Sequence, residues 1–386
     1  MNKNWLVLTN FPPKRGGLQT RTLQLCEELL SRGMKINVWN FNSDHFSVLL
    51  QRYNSQCNVL NFNNVDTRKF DFKTFRDAYK KIKDLKIDTL FFCIPGTPDF
   101  FSFILAAKLA KVKNIVMHVG AMPTLPFSIN FDTLLWKIGR WQWRFYFTCK
   151  MSMKCISLAL FNNPIQIEKF TKIFSFKNIR KELWWPPIDL DYFKFDHNIR
   201  LKMRKKYNVE DKIVFGTVGT LCSQKRQDLI IRAFKKLKQR AKNIKLFIVG
   251  TGEKFEEYKN LSLTLELNHD VIFLGERSNI PDLLNMFDVF VFSSSDLNET
   301  LGIAVLEAMS CGLPCIVSDL PGLKRIVENN YYGLIFQRND VDDLVKKMYL
   351  LYKDKNLRYK YSNRSLVRSK ICDKKNVIDH LLSLLN

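Results

Sequence analysis

The chain has 386 residues, of which 46% are hydrophobic and 25% are charged. At roughly 100 to 200 residues per domain this length predicts two domains, and the composition excludes disordered and fibrous proteins. The net charge is +24, but residues 251–350 carry 8 basic against 16 acidic side chains, so the excess lies in the first 250 residues and the tail. This asymmetry predicts a polyanionic partner surface, either anionic lipid or nucleic acid.

The apolar runs are short. The longest, such as Trp5–Thr9 and Leu90–Pro95, have the length of strands and fall far below the ~18 residues that span a bilayer. Only about five apolar residues precede Asn10, too few for the core of a signal peptide. We therefore expect no transmembrane helix and a cytoplasmic protein, with peripheral association at the inner face of the cytoplasmic membrane as a further expectation.

Nine cysteines are scattered without CxxC pairs, and the five histidines do not cluster with them. This spacing does not fit a zinc site or a disulfide framework. We expect reduced thiols with structural roles.

Short apolar runs alternate with helical patterns along nearly the whole chain, as in βαβ units on parallel sheets. The expected fold class is α/β, with two Rossmann-like, doubly wound parallel-sheet domains facing a central cleft. Candidate strands of the first run are Trp5–Thr9, Lys35–Trp39, Thr89–Ile94, Asn114–His118 and Lys154–Ser157. Those of the second run are Lys212–Val218, Ile244–Val249, Val271–Leu274, Val289–Phe292, Pro314–Val317 and Gly333–Phe336.

Two consecutive prolines, Pro186 and Pro187, separate the two runs. Because proline disfavours helix and favours an extended chain, this stretch is the predicted linker. The predicted domains are 1–188 and 189–364. A tail helix at about 365–386 is expected to pack back on the first domain.

The most informative segment follows the strand that ends near Ser293. A polar loop leads to a helix that begins at about Thr300 to Gly302 and ends before Gly312, as expected from its start and stop signals. Free amides at a helix start bind anions, and a glycine there lets a phosphate approach closely. The predicted anion site consists of the amides of Thr300, Leu301, Gly302 and Ile303.

Two glutamates flank this predicted anion site. Glu299 precedes the helix, where it would accept hydroxyls of a group beyond the phosphate, and Glu307 is placed to accept the paired hydroxyls of a ribose. From the residues alone, a solvated helix glutamate and a cap residue explain Glu307 and Glu299 equally well.

Residues 299–314 resemble the EX7E motif of retaining GT-B glycosyltransferases, specifically glycosyltransferase family 4, whose pattern reads E-(T/S)-x-G-x-x-x-x-E-A-M-A-x-G-x-P. Further blocks occur in the order of that family: Ile188–Phe193, Val249–Glu253, Val271–Arg277 and Val317–Gly322. The resemblance covers nearly all of the second domain and is thinner in the first. It implies a GT-B fold and transfer of a sugar from a nucleotide diphosphate sugar. It also implies that the domain 1–188 binds the acceptor and the domain 189–364 binds the nucleotide sugar.

The resemblance also implies which residues bind each part of the donor. Glu299 would bind the hydroxyls of the donor sugar, and Glu307 would bind the ribose. The amides of residues 300–303 would bind the diphosphate. The loop from Gly275 to Arg277 would contact the base, so Arg277 is a predicted donor-binding residue.

A second block, Val218 to Asp228, follows the first strand of the second domain. Members of the family commonly have Gly-Arg-Leu here and a lysine five residues after the arginine. Lys225 stands at the lysine position, where it would neutralise the departing diphosphate, but Thr220 replaces the arginine. Arg226 is a weaker candidate to supply the missing cation.

Two further candidates lie in the first domain. Gly16 and Gly17 follow the first strand and open a helix, so the backbone there can approach a ligand; the family has its own Gly-Gly loop at this point. His118 ends a candidate strand and is either a structural residue or, as the resemblance implies, a residue that touches the donor sugar. No hydrolase triad accompanies it.

Asp189 and Asp191 form a DxD string, which in another glycosyltransferase fold binds a metal. Here it lies in the predicted linker, so we expect a structural role and no metal or other cofactor. The segment Leu134–Phe147 places apolar residues on one side of a helix and Lys137, Arg140 and Arg144 on another. It is either an ordinary surface helix or a site of peripheral binding to anionic membrane.

The leading hypothesis is a retaining glycosyltransferase of the hexosyltransferase type. It would use a UDP- or GDP-sugar and a lipid-linked or cell-surface glycan acceptor, as in lipopolysaccharide or capsule biosynthesis. A GT-B nucleotide-sugar epimerase is the alternative. A nucleic-acid binder is less favoured because no reading motif appears, and a dehydrogenase is disfavoured because no GxGxxG follows the first strand of either run.

Overall fold

The computed structural model describes two compact units, Met1–Pro187 with Lys374–Asn386, and Ile188–Asp373. For residues 140–146 it describes the backbone alone. The described residues are 3–10, 17–41, 46–53, 55–62, 67, 70–94, 100–121, 140–174 and 179–386.

Within its described residues, the first unit contains a seven-stranded sheet with the order β3-β2-β1-β4-β5-β6-β7. Every pair is parallel, and β1 pairs with β2 from Asn4 opposite Lys35 to Thr9 opposite Asn40. The strands are β1 (Asn4–Thr9), β2 (Lys35–Asn40), β3 (Cys57–Asn61), β4 (Thr89–Ile94), β5 (Asn114–Val119), β6 (Leu158–Phe161) and β7 (Arg180–Leu183).

The second unit contains a six-stranded sheet with the order β10-β9-β8-β11-β12-β13, again parallel throughout. The strands are β8 (Ile213–Val218), β9 (Ile244–Val249), β10 (Val271–Gly275), β11 (Val289–Phe292), β12 (Cys315–Ser318) and β13 (Leu334–Phe336). In both sheets the chain starts centrally and winds outwards in both directions. The α/β prediction of two parallel-sheet domains is confirmed.

Helices connect the strands. In the first unit they are α1 (Gly17–Ser31), α2 (Ser47–Tyr53), α3 (Phe72–Asp84), α4 (Phe101–Leu109), α5 (Arg140–Cys155), α6 (Pro164–Phe174) and α15 (Lys374–Leu384). In the second they are α7 (His197–Lys206), α8 (Gln227–Lys238), α9 (Phe255–Thr264), α10 (Ile280–Met286), α11 (Ile303–Ser310), α12 (Pro321–Val327), α13 (Val341–Lys353) and α14 (Lys355–Ser369).

The central strands are buried on both faces, which explains their continuous apolar sequences. All six residues of β4 are buried, and its side chains divide between two clusters on opposite sides of the first sheet. In the second unit one large cluster joins the sheet to α8 and α13, with Phe215, Phe234 and Leu344 fully buried. These clusters hold the carboxyl ends of the strands at one edge of each sheet.

The candidate strand Lys154–Ser157 is wrong. Lys154 and Cys155 end α5, and the strand begins four residues later at Leu158. Strands β3 and β7, which were not predicted, lie at the two edges of the sheet and are partly exposed. Edge strands tolerate polar residues on their open side, so their sequences lack the apolar run on which the prediction depended.

The carboxyl-terminal region differs from the predicted single tail helix at about 365–386. Residues 365–373 lie with the second unit, within α14 and a short 3₁₀ helix at Lys370–Cys372. Only α15 returns to the first unit, where Val377, Ile378 and Leu381 are buried.

Asp189 of the DxD string accepts hydrogen bonds from the amides of Asp191 and Tyr192 at 3.0 and 3.2 Å. The carboxylate therefore closes a turn. Among the described residues no helix combines the length and apolar composition required to cross a bilayer.

Candidate functional site

Three glycine-containing turns meet at the carboxyl ends of β8, β9 and β10. The amide of Gly219 donates to Val249 O at 3.0 Å, and the amide of Gly250 donates to Gly275 O at 2.8 Å. A Cβ atom at Gly250 would lie 2.0 Å from Gly219 O, and one at Gly252 would lie 2.2 Å from Leu221 O. Glycine at these positions lets the turns lie backbone against backbone, which places the loop after β8 at the edge of the sheet.

Serines at the end of β11 anchor the loop that carries Lys225. Ser293 Oγ donates to the carbonyls of Lys225 and Arg226, both at 2.8 Å, and Ser294 Oγ to Gln224 O at 3.2 Å. The amide of Ser295 also bonds Gln224 O at 2.9 Å. These contacts fix the backbone of Lys225 beside the segment that leads to Glu299.

Lys225, Glu299 and Gly302 converge at one point. One carboxylate oxygen of Glu299 accepts from Lys225 Nζ, and the other accepts from the amide of Gly302 at 3.1 Å. Both side chains are largely buried, at 27% and 13% exposure. The Lys225 ammonium also lies 4.9 Å from the centroid of the Phe292 ring. A cation and a backbone amide thus share a single anionic group.

The helix after this loop begins later than predicted, at Ile303, because Gly302 has a left-handed conformation with φ +67°. The left-handed conformation favours glycine, and a Cβ atom at Gly302 would also displace the end of the Leu323 side chain, whose Cδ2 would lie 2.6 Å away. Thr300 and Leu301 precede the helix and are buried. The expectation of four free helix amides is therefore wrong for Gly302, whose N–H is bonded to Glu299.

The remaining predicted donor residues lie on the same unit. Glu307 is on α11 and half-buried, whereas Arg277 is exposed after β10. Thr220 is exposed, and its carbonyl accepts from Gln227 Nε2 at 3.1 Å.

Arg226 does not replace the missing cation at Thr220. Its guanidinium forms a bidentate pair with Asp228 at 2.9 and 3.0 Å and also bonds Asn339. Sequence reasoning missed Gln227, which is 3% exposed and holds the turn at Thr220. Gln227 is the first residue of α8 and falls within the block Val218 to Asp228, where the resemblance assigned roles only to Thr220 and Lys225.

His118 lies in the core of the first unit, with 4% exposure. Its Nε2 lies 3.1 Å from Asn162 Oδ1, its Nδ1 lies 3.5 Å from Cys93 Sγ, and the Trp184 ring packs edge-on at 5.0 Å. Burial lowers the pKa of His118 to about 4, although the hydrogen bond to Asn162 opposes this shift. The neutral ring therefore has both nitrogens engaged, which argues against the predicted contact with a donor sugar.

Some predicted residues fall outside this description. Gly16, Lys137 and the side chains of Arg140 and Arg144 lie outside the described residues, and Gly17 is the first residue of α1. Within the described part of the chain no group of three or more His, Cys, Asp or Glu side chains is arranged to hold a metal ion.

Two units, each built on a parallel Rossmann-like sheet, with this polar site on the second, are the architecture of the GT-B class. Residues 199–366 match the family model described as "Glycosyl transferases group 1". A relative from Escherichia coli, named UDP-Gal:alpha-D-GlcNAc-diphosphoundecaprenol alpha-1,3-galactosyltransferase, is 33% identical over 328 residues, covering 80% of this chain and 76% of the relative. The chain belongs to the glycosyl transferases group 1 family and is a glycosyltransferase.

Solved structures show the same fold. HepE of Anabaena, in complex with UDP and glucose, matches with a TM-score of 0.75 and 17% identity, over 99% of both chains. WaaG, a glycosyltransferase involved in lipopolysaccharide biosynthesis, matches with a TM-score of 0.70 and 16% identity, again over 99% of both. The GT-B prediction is confirmed.

Proposed function

We propose that this protein transfers a hexose from a nucleotide diphosphate sugar to an acceptor hydroxyl, with retention of the anomeric configuration. The observation that carries the proposal is the convergence of Lys225 Nζ and the Gly302 amide on one carboxylate. A phosphate oxygen binds well where a cation and a backbone N–H converge. In the proposed complex the diphosphate replaces the Glu299 carboxylate as the acceptor of both hydrogen bonds. Glu299 then accepts hydrogen bonds from the sugar hydroxyls.

The proposed step needs no separate nucleophile. The anomeric carbon loses its bond to the diphosphate oxygen and gains one to the acceptor oxygen on the same face of the sugar. The proton of the acceptor passes to the departing diphosphate oxygen, so atoms and charge balance. Lys225 and the loop amides stabilise the negative charge that develops on the leaving group.

We propose that the donor is a UDP-sugar, with a GDP-sugar as the alternative. The Escherichia coli relative uses UDP-Gal by its name, and HepE was solved with UDP. Glu307 would bind the ribose, and the loop with Arg277 would bind the base. The diphosphate would be bound by Thr220 and by the amides of residues 300–303.

The proposed acceptor is a lipid-linked or cell-surface glycan, in lipopolysaccharide or capsule biosynthesis. Its support is the diphosphoundecaprenol-linked acceptor in the name of the Escherichia coli relative and the lipopolysaccharide role stated for WaaG. The basic segment with Lys137, Arg140 and Arg144 supports peripheral binding to anionic membrane at the inner face of the cytoplasmic membrane. We propose no metal cofactor, because Lys225 supplies a cation at the proposed phosphate position.

Calorimetric titration with UDP, GDP, NAD and a short DNA duplex, in EDTA, tests the donor class. We expect one nucleoside diphosphate to bind tightly without metal, and Glu307→Ala to weaken it at least tenfold. Glu266→Ala, an exposed glutamate of the same unit, is the matched control. Tight binding of DNA with no binding of either diphosphate would contradict the proposal and favour the nucleic-acid hypothesis.

Turnover of a donor panel with glycan acceptors tests the reaction. We expect a product that needs both substrates and keeps the anomeric configuration, read by NMR coupling at the anomeric proton. A sugar product from donor alone would indicate the epimerase instead. Unchanged turnover in the double variant Lys225→Met, Glu299→Gln would overturn the site assignment.

A further inference from the structure

The second unit segregates its charge. Residues 251–350 carry 8 basic against 16 acidic side chains, whereas residues 194–206 carry 6 against 1 and residues 353–370 carry 7 against 1. These two basic segments contain α7 and α14, and both lie in the second unit. We call their solvent-exposed side chains the basic face. Eight of its lysines are exposed: Lys194, Lys202, Lys205, Lys206, Lys353, Lys355, Lys360 and Lys370.

A cavity of about 230 Å³ joins the two segments at the amino ends of β11 and β12. Phe195 and Arg200 line it from the side of α7, and Lys355, Arg358 and Tyr359 line it from the side of α14. On α14 these positions are three and four residues apart, which places them on one side of the helix. The two basic segments therefore border each other and form one surface.

The carboxylates of this region are already engaged. Asp288, which also lines the cavity, accepts from Arg200 at 2.5 Å and from Arg204 at 2.9 Å. Asp196 and Asp354 cap α7 and α14, and each accepts from an amide of the first turn, at 3.0 and 2.9 Å. These three acids therefore do not neutralise the exposed lysines of the basic face.

Apolar side chains are exposed among the lysines. Phe195 and Tyr359, on the two sides of the cavity, are 50% and 70% exposed, and Leu201 of α7 and Val367 of α14 are 55% and 58% exposed. Aromatic rings beside basic groups suit the interface of a bilayer, where the rings enter the headgroup region and the ammonium groups meet lipid phosphates. Exposed aliphatic side chains contribute nothing to binding a nucleic-acid backbone, so this surface favours lipid.

We propose that the basic face binds the surface of an anionic lipid bilayer. Lipid phosphates contact the lysines and Arg358, whose guanidinium is held by the carbonyls of Leu351 and Tyr352 at 2.6 and 2.9 Å. The rings of Phe195 and Tyr359 lie among the headgroups. The cavity lies at the amino ends of the strands, whereas Lys225 and Glu299 follow carboxyl ends of strands in the same sheet. A protein bound through the basic face therefore keeps this side of the donor site open to solvent.

This inference rests on the proposed peripheral membrane association and names a second surface for it. The segment with Lys137, Arg140 and Arg144 belongs to the first unit, and the basic face belongs to the second. Neither surface includes a residue of the proposed donor site. Failure of the donor site, of the first segment and of the basic face are therefore three separate results.

Flotation of the full chain over a range of concentrations of phosphatidylglycerol vesicles tests the proposal. A basic side chain near an anionic surface contributes about fivefold to binding. We expect the triple variant Lys202→Gln, Lys355→Gln, Lys360→Gln to bind at least about thirtyfold more weakly than the native protein. Vesicles of phosphatidylcholine, which carry no net charge, should bind the native protein much more weakly.

The matched control is the triple variant Lys236→Gln, Lys259→Gln, Lys346→Gln. It removes the same charge from the same unit, at exposed positions of α8, α9 and α13, and should change binding by less than about threefold. The double variant Phe195→Ser, Tyr359→Ser keeps every charge, and we expect about tenfold weaker binding to phosphatidylglycerol. Thermal unfolding checks that these variants fold, since every side chain they replace is exposed.

Four outcomes would overturn the proposal: no flotation with phosphatidylglycerol, equal binding to phosphatidylcholine, equal loss in the two triple variants, or tighter binding of single-stranded RNA than of the vesicles. A further variant, Lys137→Gln, Arg140→Gln, Arg144→Gln, separates the two surfaces. Loss of flotation in this variant alone would assign membrane binding to the first unit and would also overturn the proposal. None of these readouts involves a nucleotide, so failure of the proposed donor site would leave them unaffected.

Discussion

Lys225 holds its charge within reach of a carboxylate and a backbone amide, in a loop that two serines fix from the neighbouring strand. A cation that is already held in position stabilises the negative charge developing in the transition state far more than a solvated cation does. We expect Lys225→Met to lower kcat about 10²- to 10³-fold at saturating donor. Lys235→Met, which removes an exposed lysine paired with an exposed glutamate, should leave kcat unchanged; equal loss in both variants would contradict the assignment.

His118 is predicted to make the stability of the first unit depend on pH. Its pKa is about 4 in the folded protein because of burial, whereas an unfolded histidine titrates near ~6.5. Between these values the unfolded state binds a proton that the folded state excludes. The stabilising contribution is therefore fully present above pH ~6.5 and is lost as the pH falls towards 4, by on the order of 3 kcal/mol in all.

Denaturant unfolding at pH 7 and pH 5 measures this effect. We expect the free energy of unfolding of the native protein to fall by about 2 kcal/mol more than that of His118→Gln over this interval. His380→Gln, at an exposed position of α15, serves as the control. Identical pH profiles for the native protein and His118→Gln would show that the pKa of His118 is the same in the folded and unfolded states, and would contradict the prediction.

At the scale of elements, the turn after β9 depends on glycine for two reasons. Gly250 has φ +130°, and a Cβ atom there would lie 2.0 Å from the carbonyl oxygen of Gly219. We expect Gly250→Ala to destabilise the second unit by at least about 3 kcal/mol, since neither backbone can move without breaking the sheet edge. Thermal unfolding checks the value.

Gly33 is the matched control for that substitution. Its φ is +79°, but a Cβ atom there would have no atom within 4 Å. Gly33→Ala should therefore cost only the backbone strain, about 1–2 kcal/mol. Equal costs at Gly33 and Gly250 would show that the close contact of the turns after β8 and β9 contributes nothing.

At the scale of the whole molecule, the chain enters the first unit twice. Ile378 of α15 is fully buried in the cluster that includes Trp5 and Val7, although more than 370 positions separate them in sequence. We expect Ile378→Ala to destabilise the first unit by about 2–5 kcal/mol. Amide hydrogen exchange should accelerate in residues 3–187 and remain unchanged in residues 188–373.

Leu351→Ala gives the reverse comparison. Leu351 is fully buried in the cluster of the second unit, so exchange should accelerate in residues 188–373 and not in the first unit. If each substitution accelerated exchange equally in both units, the two compact units would unfold as one. That result would contradict the prediction that each unit unfolds independently.

The accuracy of the sequence predictions follows burial. The strands β9 and β11 were predicted with their observed bounds, because strands buried on both faces need unbroken apolar runs. The edge strands β3 and β7 were missed because β3 has a single buried residue and β7 has none, so neither sequence contains an apolar run. In the site, Glu299 and Lys225 were predicted because the family pattern has a charged residue at each position. Gln227 lies in the same block as Lys225, but its contact with the Thr220 carbonyl depends on the fold of the turn.

The sequence by itself determined the α/β class, the family and most strands of the second unit, because local periodicity and a contiguous motif carry that information. Only the tertiary structure decided that His118 is enclosed by Cys93, Asn162 and Trp184. The same holds for Glu299, which accepts a hydrogen bond from the Gly302 amide. Burial and hydrogen-bond partners depend on elements far apart in the chain, and no local pattern records which of them will meet.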